Sequence, residues 1–279
     1  MERIIACIAG ASGSGKSFFV ANLHNALIYD TDIGGGLAYA DARIAKNKSE
    51  RIEASTYAEI EDDLKRRQKN GSLAKFNTLA IDHVTALHQA AQIAHNPTAS
   101  QDYGRANEAA TREWRKVRNF CRTCDFNLIV TAHLKGRFDQ DKQVGQQPDG
   151  AKNIEGDMSI VLYLNKAEKT LPPSEAIVQK WRRDPDDPRG AIPPTFKLTM
   201  ENFVKLHGNG ALSAPREPVA LATAEQVSEI NRLVGVVKLP EGTTDKWLKK
   251  AGVESFEEMP ATIIQACIDH TKKTLTTGA

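Results

Sequence analysis

The chain has 279 residues, 41% hydrophobic and 26% charged, with a formal net charge of +2. That is enough apolar material for one large domain, or for a core of about 200 residues with an appendage, and it excludes fibrous and polyelectrolyte chains. No apolar run approaches the roughly 20 residues that span a bilayer, and a net charge this small confines any nucleic-acid footprint to local clusters.

Residues 3–9, RIIACIA, form a continuous apolar run, as in a parallel strand covered on both faces. The run leads straight into glycines, so it reads as a strand and not as a signal peptide. Gly10, Ala11, Ser12, Gly13, Ser14, Gly15, Lys16 and Ser17 then fit the phosphate-loop pattern in full, opening a helix expected over Lys16 to Asn25. Glycines here let backbone N–H groups turn inward around phosphates, which the positive end of the helix dipole faces. In that pattern Lys16 reaches the β- and γ-phosphates and Ser17 binds Mg²⁺, so ATP and Mg²⁺ are the expected ligands.

A second strand, ALIYD, ends on Asp30, with Asp32 beyond it and glycines at 34–36. Alternate residues share a strand face, so both carboxylates are candidates to orient water for in-line attack on the γ-phosphate. Turn chemistry at a strand end is the bland alternative. SERIEA fits a short strand, and STYAEIEDDLKRRQKNG a helix capped by Ser55 or Thr56 and ended by Gly71. FNTLAID is the next strand. It delivers Asp82 to its C-terminal end, suited to a water-mediated Mg²⁺ contact, to capping the helix that begins at His83, or to both. Many nucleotide hydrolases carry a water-activating glutamate after such an aspartate; here His83 follows.

DYGRANEAATREWRKVRNFCRT reads as a long helix, and in its stretch TREWRKVRNFCR only Glu113 opposes Arg112, Arg115, Lys116, Arg118 and Arg122. Arg115, Arg118 and Arg122 share a face, for nucleic acid, a subunit contact or solvent. Cys121 and Cys124 have the C-x-x-C spacing of half a zinc site or a redox pair. No second ligand pair is near, so they read as packing thiols, and four scattered cysteines fit a reduced, cytoplasmic protein. DFNLIVTAH is a further buried strand ending on His133, a candidate to sense the γ-phosphate and pass its state onward, with a structural histidine as the bland alternative. Strands alternating with helices give an α/β class with a mainly parallel central sheet flanked by helices.

Residues 134–157 are polar, glycine-rich and aperiodic, a long loop or a mobile hairpin. Lys135, Arg137, Phe138, Lys142 and Lys152 combine cations with an aromatic ring, the recipe for holding single-stranded DNA, diluted by Asp139, Asp141, Asp149 and Glu155. MSIVLYLNK, EAIVQKWRR and TFKLTM read as closing antiparallel strands. The expected division is a core over 1–206, a linker over 207–218, and a small helical module over 219–279. In that module Trp247, Leu248 and the apolar face of 261–272 form a core of their own.

Together these runs resemble the RecA-like ATPase core, and more narrowly the phage nucleotide-binding proteins of that class, which include single-strand annealing proteins of the Sak group. GASGSGKS matches the phosphate loop, IYDTD the strand ending in D-x-E, TLAIDHVTAL the Walker B strand, and IVTAH the strand ending in a polar sensor. IVQKWRRDP with IPPTFKL is similar to the segment whose K-x-K or K-x-R pair reaches the neighbouring subunit's nucleotide, matched by Lys180 and Arg182. Over about residues 1–206 the resemblance implies an Mg²⁺-dependent ATPase using Lys16, Asp32, Asp82, His133, Lys180 and Arg182, with a DNA-binding loop at 134–157. It also implies a homo-oligomer, filament or ring, that holds single-stranded DNA for annealing or strand exchange in a bacterial host's cytoplasm, without a membrane. The tail would contact DNA, a single-stranded-DNA-binding protein or another replication or recombination protein. A non-hydrolysing assembly module and a helicase loader are the alternatives. The chain departs from the family in carrying Asp32 for glutamate, a shorter helix after the loop, and a tail unlike RecA's own terminal domains.

Overall fold

The structure, a computed structural model, describes residues 3–32, 36–96, 103–124, 126–139, 142–165, 174–183, 187, 190–208, 220–237, 239–240, 242–251, 253 and 255–277. They fall into two compact units: Met1–Val117 with Phe126–Arg216, and Arg118–Asp125 with Glu217–Ala279.

The first unit is built on strands β1 (Ile5–Gly10), β2 (Ala26–Asp30), β3 (Glu50–Glu53), β4 (Thr78–Asp82), β5 (Asn127–Asp139), β6 (Lys142–Asp149), β7 (Ile160–Leu164), β8 (Glu175–Trp181) and β9 (Thr195–Lys197). The sheet runs β3-β2-β4-β5-β1-β7-β8-β9, with β6 paired to β5 alone. Ladders from β3 to β7 are parallel, and β8 and β9 close the sheet antiparallel. Strands β2 and β4 are buried along their whole length, as their uninterrupted apolar runs require. Because β1, β2, β4 and β5 are parallel neighbours, their C-terminal ends converge on one edge, where ligands of open α/β sheets bind.

Helices α1 (Lys16–Val20), α2 (Asp41–Lys46), α3 (Tyr57–Lys69), α4 (Val84–His95), α5 (Tyr103–Thr123), α6 (Ile154–Asp157) and α7 (Met200–His207) complete the connections. Thr56 caps α3 in a reciprocal box with Glu59. Helix α1 is shorter than expected. Asn22 turns its side-chain amide back on the Phe18 carbonyl at 2.7 Å, and Asn25 takes a left-handed φ of 49°, so local polar bonds compete with the helix. The short helices α2 and α7 escape the sequence because neither carries enough turns to show a period.

One further expectation changes, and one open alternative is decided. The run IVLYL in β7 pairs parallel to β1 and not antiparallel; its five apolar residues suit the centre of the sheet and not its closing edge. Of the alternatives for 134–157, the described residues take the hairpin. Strand β5 continues past His133 to Asp139 and pairs with β6, with a register shift at Arg137 and Phe138. Residues 140–141, the Asp139 side chain, glycines 34 and 35 and linker positions 209–218 lie outside the described residues.

The second unit holds α8 (Ala224–Val236), α9 (Thr243–Ala251) and α10 (Ala261–Thr277). Its core comprises Ile230, Leu233, Val253, Met259, Ile264, Cys267 and Ile268, with Trp247 and Leu248 packed against it. Cys121 and Cys124 are buried and form no disulfide, and burial pushes the Cys124 thiol up to about 12. No metal-holding group of His, Cys, Asp or Glu exists among the described residues, and none of their helices is long and apolar enough to cross a membrane.

Trp114 is fully buried, tilted against Tyr57 at 6.4 Å, with its indole N–H donating to Asp157 at 3.2 Å. Trp114→Ala is expected to cost about 3–5 kcal/mol in urea unfolding followed by circular dichroism; a loss below 1 kcal/mol would contradict this packing.

Candidate active site

Backbone geometry shapes the loop after β1. Gly13 and Gly15 sit at φ 74° and 89°, a region open to glycine because it has no Cβ. Gly10 is held by space: a Cβ there would lie 2.5 Å from Ser14 Oγ and 3.1 Å from Leu164. Ser14 is 2% exposed, and its hydroxyl has no partner among the described residues. A buried donor left unsatisfied costs about 1–3 kcal/mol, and beside turned-in glycine amides it suits a phosphate oxygen. Lys16 Nζ donates to the Gly10 and Ala11 carbonyls, both at 2.9 Å, and burial lowers its pKa against the pull of Asp82.

Asp82 is 4% exposed at the end of β4 and accepts hydrogen bonds from the Thr131 and Ser17 hydroxyls. Burial raises its pKa, opposed by those hydroxyls and by Lys16. The Ser17 hydroxyl and Asp82 carboxylate, already adjacent, fit Mg²⁺, which would supply charge neutralisation for the β- and γ-oxygens. Asp82 does not cap α4. His83 does, its Nδ1 accepting from the Ala86 N–H at 3.2 Å.

The two carboxylates after β2 separate. Asp30, 1% exposed, is committed to structure: it accepts from the Leu37 N–H at 2.9 Å and the Asp32 N–H at 3.3 Å, and pairs with Arg51 at 3.1 Å. Asp32 is exposed, its carboxylate 2.8 Å from where a Gly36 Cβ would stand. Asp32 also acts electrostatically on His83 and His133. Those two rings meet edge to face, centroids 4.5 Å apart at 72°. Burial lowers both pKa values, His83 to about 4, with Lys16 acting the same way and Asp32 and Asp149 opposing.

A cavity of about 610 Å³ opens over loop residues 13–18, walled by Gly36, Tyr39 and Arg43. Tyr39 is 68% exposed, and the Arg43 guanidinium lies 4.8 Å over the Phe18 ring. An exposed ring beside a cation and a phosphate loop suits a base carrying phosphates. Tyr39, Arg43, Thr131 and the capping role of His83 were missed from sequence. Only Thr131 left a signal there, two residues before His133 on the same strand face.

Lys16, Ser17, Asp82, Asp32 and His133 therefore gather at one sheet edge. Lys180 and Arg182 do not join them. Gly10 pairs with Leu164 and Leu164 with Ala176, whereas Lys180 pairs with Val161 near the other end of β8. Lys180 Nζ donates to the Glu155 carbonyl at 2.5 Å, and Arg182 is exposed. Lys135, Arg137, Phe138, Lys142 and Lys152 are all exposed, four of them on the β5–β6 hairpin, and Lys135 pairs with Asp149 at 2.9 Å.

Parallel sheet, glycine loop and acidic strand end define a P-loop nucleotide-binding protein. Residues 2–186, about two-thirds of the chain, match the family described as AAA domain, and the chain belongs to that family, carrying a P-loop AAA-type ATPase domain. No curated protein matches it.

Lys16→Ala is expected to weaken Mg²⁺–ATP binding by about 10- to 100-fold in calorimetry, because it removes a charged donor to the phosphates; unchanged affinity would displace the site. A second prediction concerns pH. The folded His83 pKa of about 4 lies below its ordinary 6.5, so the unfolded chain binds more protons between those values. Stability contributed by neutral His83 is complete above 6.5 and lost as pH falls towards 4. Urea titrations should show a shallower acid loss for His83→Asn than for wild type; equal slopes would contradict the buried neutral imidazole.

Proposed function

We propose that this protein is a phage-type, RecA-like ATPase that binds single-stranded DNA and promotes annealing or strand exchange as an oligomer, with ATP at the subunit interface. One observation carries the reading: strand β5 leaves the nucleotide edge at His133 and runs without a break into the exposed hairpin bearing Lys135, Arg137 and Phe138. Thr85 at the start of α4 pins both hairpin roots, donating to the Asp149 carbonyl at 2.6 Å and accepting from the His133 N–H at 2.9 Å. A shift of His133 towards or away from the γ-phosphate therefore reaches the hairpin through covalent chain and one shared hydroxyl.

In this reading Asp32 orients water for attack on the γ-phosphorus and takes its proton as the bond to the ADP oxygen breaks. Lys16 holds the phosphate charge. The hairpin grips phosphates with its cations and stacks Phe138, 64% exposed, on a base. Lys180 and Arg182, remote from their own chain's pocket, would meet the nucleotide of a neighbouring copy, which favours a filament or ring. The second unit is proposed as the contact for DNA or for a protein partner such as a single-stranded-DNA-binding protein. The exposure of Asp32, with its short side chain, favours a second reading in which ATP locks assembly without hydrolysis.

DNA-stimulated phosphate release that Asp32→Asn abolishes would support the first reading; nucleotide-dependent assembly without release would support the second. Lys135→Ala with Arg137→Ala should lower the salt slope of oligo-dT binding by about 1.4, at 0.7 per single-strand phosphate contact. Phe138→Ala should weaken it by about 1–3 kcal/mol at every salt concentration. Unaltered dT affinity in these variants would remove the hairpin from the DNA site.

A further inference from the structure

His83 lies at the nucleotide edge and has no part in the proposed hydrolysis. It stands where a water-activating glutamate is common, and three features fix its ring. Its Nδ1 accepts the Ala86 N–H, which places the ring proton on Nε2. Its backbone is tied to the end of β2: the His83 N–H donates to Thr31 Oγ1 at 2.8 Å, and the Thr31 hydroxyl donates to the His83 carbonyl at 2.7 Å. Its ring lies edge to face with His133. Lys16 and Asp32 on the nucleotide side, and Asp149 at the hairpin root, act on both rings.

We infer that His83 is the positioning residue for His133, holding the sensor ring by aromatic packing in the orientation that responds to bound nucleotide. Backbone bonds to Thr31 anchor His83 to the sheet, and the Nδ1 bond fixes its rotation. The His133 ring therefore packs against a rigid wall instead of sampling its rotamers. An edge-to-face pair of this kind contributes about 0.5–1.5 kcal/mol beyond burial, enough to restrict one side chain and too little to prevent its displacement by a phosphate. The inference rests on the ATP-sensing role proposed for His133, and not on DNA binding.

Two variants separate the ring from the cap. His83→Asn keeps an oxygen that accepts the Ala86 N–H, asparagine being a favoured N-cap residue, but removes the ring. His83→Phe keeps a ring and removes the cap. The readout is the imidazole ¹⁵N signal of His133 in the full-length protein, titrated with Mg²⁺ and a non-hydrolysable ATP analogue. The expected result is a nucleotide-induced shift in wild type and His83→Phe and its loss in His83→Asn, with calorimetric nucleotide affinity unchanged across the three. A shift retained in His83→Asn, lost in both variants, or absent from wild type would overturn the inference. Oligo-dT titration of the same wild-type sample reports separately on the proposed DNA function, which can fail while the His133 response stands.

Discussion

A buried carboxylate organises the nucleotide edge. Asp82 sits at the end of a fully buried strand, where an isolated charge would cost several kcal/mol, and it is tolerated because two hydroxyls and one ammonium converge on it. Ser17 comes from the first turn after the phosphate loop, Thr131 from β5, and Lys16 from the loop itself. None of these groups is near Asp82 in the chain. They meet only because β4 lies beside β5, and β5 beside β1, all parallel. The sheet order is thus a requirement of the chemistry, since burial raises the Asp82 pKa and the groups that oppose it come from those neighbouring strands and the loop.

A second consequence of that order is the path of β5. Its buried half supplies Thr131 and His133 to the nucleotide edge, and its exposed half forms the hairpin with β6. Through the side chain of Thr85, helix α4 joins both roots of the hairpin to the segment that begins at Asp82 and His83. The proposed coupling between nucleotide and DNA needs no moving domain. It asks for a small displacement at one end of a continuous strand, read at the other. Lys180 and Arg182 stand outside this circuit and enter the account only through a neighbouring copy.

The features legible in the sequence were those fixed by local pattern. Gly10 to Ser17 declared a phosphate loop because backbone conformation and helix polarity require those residues in that order. Asp82 and His133 declared themselves by ending apolar runs. What stayed hidden depended on partners distant in sequence. Asp30 and Asp32 looked equivalent until Arg51 and the Leu37 amide committed Asp30 to structure. The capping role of His83 was invisible because imidazole is a rare cap, and Asp82 before it is a common one. Tyr39 and Arg43 follow a glycine run whose course no periodicity reveals. The direction of β7 was misread because a parallel and an antiparallel strand share the same apolar run.

Nucleotide bound at the phosphate loop is proposed to change the β5–β6 hairpin through His133 and Thr85. Amide hydrogen exchange of the full-length protein, with and without Mg²⁺ and a non-hydrolysable ATP analogue, tests it most directly. Slower exchange is expected across Leu134–Phe138 and Gln143–Gln147 as well as at the phosphate loop. Protection confined to the loop and α1, with the hairpin exchanging as before, would contradict it.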